Sequence, residues 1–438
     1  MVRMKKLICL ILPLLLLCGC SLSVEELLSP PRLDEEQTAI YEALRLSKGG
    51  DVNLKYPMSG QYRSAFVVQN IDDEESNEAI VFYEASNITD DGSSLRLNFL
   101  DKQDGKWVSV YDFAALGSEV ERVLFADLGD DALSIIVTYP IQNSSDHATS
   151  IFRYENNTPS EVYKSRHVYM SLIDINEDNA QEVFMVNSDS SSNVATANLL
   201  GWEDDSFSVL SSVPLSAGFT SCRNIQLATA TSMDRKGIFI DYSLADGATN
   251  TDILLCYDRT LVAAQIPDEQ TMRRSNSYTP LISCRDNDAD GVIEIPVVSP
   301  APGYESRPAN EQVNFIHWFE LAPSGNALEH EAITYVSIRN DYMLSIPSRW
   351  AGLVTCSISI ADGTVTFNKY NPVTKEAEDE LMVIRAMSEA AMEKADLSGF
   401  TPYGKSAATG YSFFIRTNTE NSFAMSEAEL GNMFSITE

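Results

Sequence analysis

Residues 286–294 read Asp-Asn-Asp-Ala-Asp-Gly-Val-Ile-Glu, an acidic loop that runs directly into an apolar, β-branched segment. Weaker copies begin at Asn70, Asp127, Asp174 and Ala230, so that successive copies start 57, 47, 56 and 56 residues apart. A repeat of this length built from short strands is typical of a β-propeller, in which each copy is one four-stranded blade. We therefore expect a mainly β fold with about five blades.

The segments that flank each loop support this prediction. Residues that follow a loop are β-branched or aromatic, as at 135–139, and such residues favour half-buried strands. A hairpin then follows in most copies. The first one runs over 95–100 and 106–111 and turns at an Asp-Gly pair, which supplies positive φ angles. The last clear hairpin strand covers 315–321, and a sixth blade in degenerate sequence remains open.

The N-terminus has the pattern of a lipoprotein signal peptide over residues 1–19. Basic residues precede an apolar run at 7–17, and Leu-Cys-Gly-Cys follows at 17–20. The run is too short to span a bilayer, and the small residue before Cys20 suits a lipoprotein signal peptidase. Cys20 would then carry lipid and hold the protein on the extracytoplasmic face of the cell membrane. An ordinary signal peptide with an idle cysteine is the alternative.

Four further segments follow the signal peptide. Residues 20–33 form a short membrane tether, and 34–50 form an N-terminal helix with Asp34 as its N-cap. The propeller is expected over 51–331. Beyond it the repeat pattern changes, which predicts a small C-terminal α+β domain over 332–438. Residues 381–387 in this domain fit a strand or a helix equally well.

Charge and cysteine content limit the classes of function. The net charge of −32 becomes −35 when Arg3, Lys5 and Lys6 leave with the signal peptide (−32 minus 3), which argues against nucleic-acid binding. The four cysteines after Cys20 allow three disulfide pairings and form no zinc pattern. The sequence allows either buried free thiols or disulfides for these four cysteines, Cys222, Cys256, Cys284 and Cys356.

The chain resembles a family of uncharacterised lipoproteins from clostridia and related Gram-positive bacteria. The residues that carry the likeness are 26–33, 56–66, the acidic loops and 342–350, and it covers nearly the whole chain. It implies an architecture and a location rather than an activity. The loops are also similar to FG-GAP or integrin-type propeller repeats, in which such loops hold calcium. Only 286–294 keeps the full pattern.

The loop at 286–294 places oxygen atoms at alternate positions. Its candidate ligands are Asp286, Asp288, Asp290, the Val292 carbonyl and Glu294. Hard oxygen ligands on a flexible loop suit Ca²⁺, and a bound ion would act structurally by neutralising acids that repel one another. The loop is not an EF-hand, because position 12 lacks its glutamate. The alternative is a solvated acidic turn held by its own side chains.

The loop that begins at residue 174 is the second candidate metal site. It offers the oxygen atoms of Asp174, Asn176, Asp178 and Glu182 but lacks the glycine. The loops at 70–78 and 127–135 are weaker candidates. The copy at 230–238 keeps a single acid, Asp234.

Signals for catalysis are few. The sequence contains no GxSxG, HExxH, Walker or GxGxxG motif in a suitable setting, and its four histidines are scattered. We expect a binding or interaction module for an unknown protein or glycan. The alternative is a cell-surface enzyme that cleaves glycans with carboxylates at the propeller channel, with sugars stacked on exposed tryptophans. A solute-binding component is disfavoured, because nothing predicts two α/β lobes.

Overall fold

The computed structural model describes residues 33–72, 74–85, 94–129, 132–189, 192, 194–267, 282–359 and 361–437. Antiparallel strands make up most of these residues, which confirms the mainly β prediction. The predicted signal peptide, Cys20 and nearly all of the tether lie outside the described residues. No helix among the residues described is long and apolar enough to cross a membrane.

The predicted N-terminal helix is α1 (Glu35–Lys48). Asp34 caps it by accepting a hydrogen bond from the Gln37 backbone N–H at 2.7 Å. Gly49 ends it in a left-handed conformation with φ of 72°, which favours glycine. Ile40 and Leu44 on its apolar stripe are fully buried against the first sheet. The helix and its packing on the sheets were therefore predicted correctly.

Five sheets follow one another along the chain, and each strand pairs antiparallel with its neighbour. Sheet 1 contains β1 (Asn53–Leu54), β2 (Phe66–Gln69), β3 (Glu78–Glu84), β4 (Leu95–Gln103) and β5 (Lys106–Ala114). Here β1 and β2 both pair with β3, so they form one interrupted first strand. Sheet 2 contains β6 (Arg122–Asp127), β7 (Leu133–Pro140), β8 (His147–Glu155) and β9 (Thr158–His167).

The next three sheets extend to residue 346. Sheet 3 contains β10 (Tyr169–Ile173), β11 (Glu182–Asp189), β12 (Val194–Glu203) and β13 (Ser206–Pro214). Sheet 4 contains β14 (Phe219–Thr231), β15 (Arg235–Leu244), β16 (Thr249–Tyr257) and β17 (Thr260–Ala263). Sheet 5 contains β18 (Ile295–Pro300), β19 (Asn314–Leu321), β20 (Leu328–Ser337), β21 (Tyr342–Ile346) and the late strand β27 (Phe434–Ile436).

A sixth sheet covers most of the predicted C-terminal domain. It contains β22 (Val354–Ile358), β23 (Val365–Asn371), β24 (Glu376–Met387), β26 (Ser412–Thr417) and β25 (Thr401–Lys405), in that spatial order. The ambiguous segment 381–387 belongs to β24. The helices here are short, α2 (Glu389–Met392) and α3 (Glu427–Met433), and Ser426 caps α3.

Sheets that are neighbours along the chain share hydrophobic clusters. Phe99 of sheet 1 lies 5.7 Å from Phe152 of sheet 2, measured between ring centroids. Mixed clusters also join sheet 2 to sheet 3, sheet 3 to sheet 4, and sheet 4 to sheet 5. Among the described residues, no shared cluster links sheet 6 to sheet 1. The arrangement is propeller-like, because each of sheets 2 to 5 packs on the sheet before it and on the sheet after it.

The predicted boundary between residues 331 and 332 falls inside β20. Residues on both sides of it pair with β19, as in Trp318 with Ala332 and Phe319 with His330. One cluster then continues from Tyr335 through Trp350 into sheet 6, where the rings of Tyr335 and Phe367 lie 5.5 Å apart. The change in sequence pattern near 332 therefore does not mark a break in the fold. Separate folding of 332–438 remains a prediction.

Candidate functional site

The acidic loops lie at one end of their sheets. In sheets 1 to 4 the loop joins the first strand to the second, and the turn between the third and fourth strands lies at the same end because the strands alternate in direction. In sheet 5 the loop precedes β18, and paired backbone hydrogen bonds between Arg285 and Glu294 close it. We call this end of the sheets the acidic-loop face.

Contacts between sheets connect the acidic loops. A cavity of about 560 Å³ separates the first loop, at Asp72, from the second, at Asp127. The second and third loops meet where the Gln181 N–H donates to the Asp127 carbonyl at 2.8 Å. The fourth and fifth meet where the Ile293 N–H donates to the Thr229 carbonyl at 3.1 Å. The loops are therefore neighbours in space as well as repeats in sequence.

The loop at 286–294 is ordered by its own carboxylates. Asp286 accepts hydrogen bonds from the N–H groups of Ala289 at 2.7 Å and Gly291 at 3.0 Å. Asp290 accepts one from the Val292 N–H at 2.8 Å. Gly291 has a φ of 94°, a value that suits glycine alone. These bonds turn the chain so tightly that the acids face one another.

Four carboxylates converge in this loop. One oxygen each from Asp286, Asp288, Asp290 and Glu294 lies within 4.8 Å of the other three. The three aspartates are exposed, whereas Glu294 is buried, and burial raises the pKa of Glu294 to about 7, with the neighbouring aspartates adding to the rise. Four acids this close repel one another, and a cation would offset that repulsion. The group can therefore bind a metal ion, and Ca²⁺ remains the prediction.

Glu294 is the ninth residue of its loop, counted from Asp286, and this position 9 has a second role that the sequence did not suggest. Glu294 accepts a hydrogen bond from the Asn287 N–H at 2.7 Å. Glu78 and Glu182 make the same bond to the second loop residue, Ile71 at 2.7 Å and Ile175 at 3.2 Å. All three glutamates are almost completely buried. The acid at position 9 thus ties each of these three loops across its base.

The loop at 174–182 has nearly the same backbone as the loop at 286–294. Asn179 occupies the place of the missing glycine with a φ of 73°, which asparagine tolerates better than most residues. Asp174 accepts hydrogen bonds from the N–H groups of Asp178 and Asn179, and the second of these matches the bond from Gly291 to Asp286. The sixth residue of this loop therefore keeps its positive φ without a glycine.

The loops at 174–182 and 286–294 differ in how their negative charges are neutralised. Arg259 from the β16–β17 turn donates to Glu182 at 3.1 Å, so a guanidinium neutralises this loop. The Asn176 amide donates to Asp178 at 2.9 Å and to Asp258 at 3.2 Å. These contacts leave fewer free oxygen atoms for an ion. Within the described part of the chain, the converging group belongs to the loop at 286–294 alone.

The histidines, which are scattered in the sequence, form two pairs in the structure. The rings of His147 and His167 stack with centroids 5.9 Å apart. His317 and His330 lie 3.1 Å apart between Nδ1 and Nε2. Each pair joins adjacent strands, β8 with β9 and β19 with β20, whose register the sequence did not reveal.

The tryptophans do not form a sugar-binding surface. Trp202, Trp318 and Trp350 are buried in hydrophobic clusters. Trp107 is half-buried, and the Lys102 ammonium group lies 5.5 Å from its ring. The cysteines are also in the core or near it: all four described ones, Cys222, Cys256, Cys284 and Cys356, are free thiols.

Comparisons with known proteins give little guidance. No protein-family model and no curated protein matches the chain. A periplasmic gluconolactonase of Pseudomonas aeruginosa is 12% identical and aligns over 75% of this chain and 88% of its own, with a TM-score of 0.25. A putative 6-phosphogluconolactonase of Bacteroides fragilis is 9% identical over 75% of this chain and 92% of its own, with a TM-score of 0.23. At these scores neither similarity carries an argument about function.

Proposed function

We propose that the protein is a lipid-anchored, extracytoplasmic binding module whose loop at 286–294 takes Ca²⁺. The convergence of four carboxylate oxygen atoms within 4.8 Å carries this proposal. Oxygen ligands from aspartate and glutamate suit Ca²⁺, which is abundant outside cells. The ion holds the loop in shape against sheet 4, which the loop meets through Thr229.

Calcium titration of the purified protein tests the metal site. We expect one site, lost in the double variant Asp286→Ala, Asp290→Ala and kept in the matched double variant Asp174→Ala, Asp178→Ala. Absence of calcium binding in the wild type would reduce the loop to an acidic turn. Binding that survives the first double variant but not the second would move the site to the loop at 174–182.

The anchoring part of the proposal rests on Cys20 and the residues before it. A diacylated cysteine gives stable membrane attachment, which a single chain does not. The sheets then stand outside the membrane and present the acidic-loop face to a protein or glycan ligand. Affinity capture from intact membranes, with calcium and with chelator, tests this role, and recovery of no specific partner under either condition would contradict it.

We propose that sheets 1 to 5 are the five blades of a closed propeller. Their one-to-one match with the five sequence repeats is the argument for this count. An experimental structure that places sheet 1 away from the later sheets would refute closure.

The glycan-enzyme alternative has less support. It requires paired carboxylates beside exposed aromatic rings. The converging carboxylates of 286–294 lie on a loop, and three of the four tryptophans are in the core. Hydrolysis of cell-wall glycans by the purified protein would revive this alternative.

A further inference from the structure

A second cavity lies at the end of the sheets opposite to the acidic-loop face. Its volume is about 510 Å³, and it opens between sheets 2 and 3. The strands β6, β8 and β10 begin at this cavity, and β9 ends there. The lining residues that matter for its chemistry are Glu121, Arg122, His147, His167, Met170 and Leu172.

Arg122 brings a positive charge to this cavity. Its Nη2 donates to the Met170 carbonyl at 3.2 Å, so the guanidinium group reaches from sheet 2 to sheet 3. Its Nε is buried and has no hydrogen-bond partner. No carboxylate among the described residues forms an ion pair with Arg122, although the protein is strongly acidic. A guanidinium group with unused donors is the usual protein partner of a carboxylate or phosphate.

His167 places a second buried nitrogen without a hydrogen-bond partner beside the cavity. The residue is 96% buried, since its exposed fraction is 4%, and its Nε2 lies 2.8 Å from the Thr149 hydroxyl. Its Nδ1 is buried without a partner. Burial, with smaller contributions from the nearby His147 and Arg122, lowers the pKa of His167 to about 4, so the ring is neutral near pH 7. If Thr149 donates to Nε2, the ring proton is on Nδ1.

Glu121 contributes a carboxylate to the cavity, and a neighbouring side chain holds it. Glu121 would oppose an anion, but its carboxylate lies 2.8 Å from Nδ1 of His147. The Glu121 backbone is fixed as well, because Ser59 donates to its carbonyl through both N–H and Oγ. A cation is a poor occupant, because Glu121 and the two histidines do not converge as the acids of 286–294 do.

We propose that this cavity binds a small aliphatic carboxylic acid, with its carboxylate between Arg122 and Nδ1 of His167. The apolar side chains of Leu124, Met170 and Leu172 line the remainder of the cavity and suit a hydrocarbon body. Inorganic phosphate would leave these side chains without a partner. The cavity is separate from the calcium site, so its ligand does not depend on the metal proposal.

Nuclear magnetic resonance of the full-length protein in detergent micelles tests the proposal. The chain has four histidines, so labelling at ¹³Cε1 gives four signals, which single His→Gln variants assign. Butyrate and the isosteric but uncharged butyramide are added at constant ionic strength. We expect saturable shifts of the His147 and His167 signals with butyrate only, while the signals of the distant pair, His317 and His330, stay in place.

Variants of Arg122 then test whether its positive charge binds the butyrate carboxylate. Arg122→Gln should weaken butyrate binding by about 10- to 100-fold, the usual cost of losing a charge-assisted hydrogen bond. Arg122→Lys, which keeps the charge and loses the planar fork, should weaken it less. Arg339→Gln removes an exposed arginine elsewhere and should leave the affinity unchanged.

Three results would overturn the proposal. These are equal shifts with butyramide, shifts with phosphate but none with butyrate, and full affinity in a folded Arg122→Gln protein. The comparison of butyrate with butyramide uses the wild type alone, so it decides the proposal even where neither Arg122 variant folds.

Discussion

Glu294 should couple the stability of the protein to both pH and calcium. Its carboxyl is buried at the base of the loop, and its pKa is raised from 4.5 to about 7. The variant Glu294→Gln removes the charge but keeps an oxygen atom that accepts the bond from the Asn287 N–H. It therefore isolates the effect of ionisation from that of loop shape.

The direction of the pH effect follows from the raised pKa. A carboxyl that holds its proton more tightly in the folded state contributes stability that is fully present below about pH 4.5 and is lost as the pH rises through about 7. The difference between the two pKa values corresponds to about 3 kcal/mol. Because the neighbouring aspartates are exposed and solvent screens their charges, we take about 1–2 kcal/mol as the effect.

At neutral pH, bound calcium should offset the stability that is lost when Glu294 ionises. At a calcium concentration 100 times its dissociation constant, binding to the folded state alone adds about 2.7 kcal/mol to the free energy of unfolding. For a chain of this size that corresponds to a rise in melting temperature of about 3 °C. The apparent calcium affinity should fall below pH 7, because Glu294 must first lose a proton.

Denaturant unfolding at pH 5 and pH 7.5, with calcium and with chelator, checks these expectations. Metal-free Glu294→Gln should exceed the wild type in stability at pH 7.5, match it more closely at pH 5, and lose most of the calcium response. Glu311→Gln, at an exposed site, is the matched control. The difference between variant and wild type removes the contributions of other titrating groups. A full calcium response in Glu294→Gln, or no difference between the pH values, would refute the reasoning.

Cys20→Ala should release the protein from membranes into the soluble fraction, and retention after a salt wash would contradict lipidation. His167→Gln should reduce the loss of stability between about pH 6.5 and 4, because burial lowers the pKa of this histidine and, over that range, the unfolded state binds a proton that the folded state does not; equal acid denaturation midpoints would argue against this. Trp350→Ala should cost about 3–5 kcal/mol and lower the stability of sheets 5 and 6 together, whereas calorimetric loss confined to sheet 6 would support a separate C-terminal domain.

The sequence predicted those parts of the fold whose cause is local. The cap at Asp34 and the stripe of Ile40 and Leu44 are set by neighbours within one or two turns, and they were predicted correctly. The repeat at 286–294 likewise predicted one sheet for each copy. Sheet 6 and the boundary near 332 depend on Tyr335, Trp350 and Phe367 meeting in one cluster. That cluster joins residues far apart in sequence, so no periodic pattern could indicate it.

The candidate sites were predictable to the same extent. Alternating acids in one short loop are a local signal, and the structure brings the four side chains of 286–294 together. The neutralisation of Glu182 by Arg259 comes from the next sheet, 77 positions along the chain, and has no local signal. The cavity at Arg122 also needs strand register, because His147 and His167 face each other only once β8 and β9 are paired.

In three of the loops, the buried glutamate at position 9 holds the loop in shape whether or not an ion is bound. Glu78 and Glu182 keep this bond in loops whose described residues form no converging group of carboxylates. A repeat can therefore lose acids at its exposed positions and still keep its shape. Surface substitutions alone can therefore move a converging group of carboxylates from one repeat to another. A repeat built in this way can gain or lose metal dependence during evolution without passing through an intermediate sequence that fails to fold.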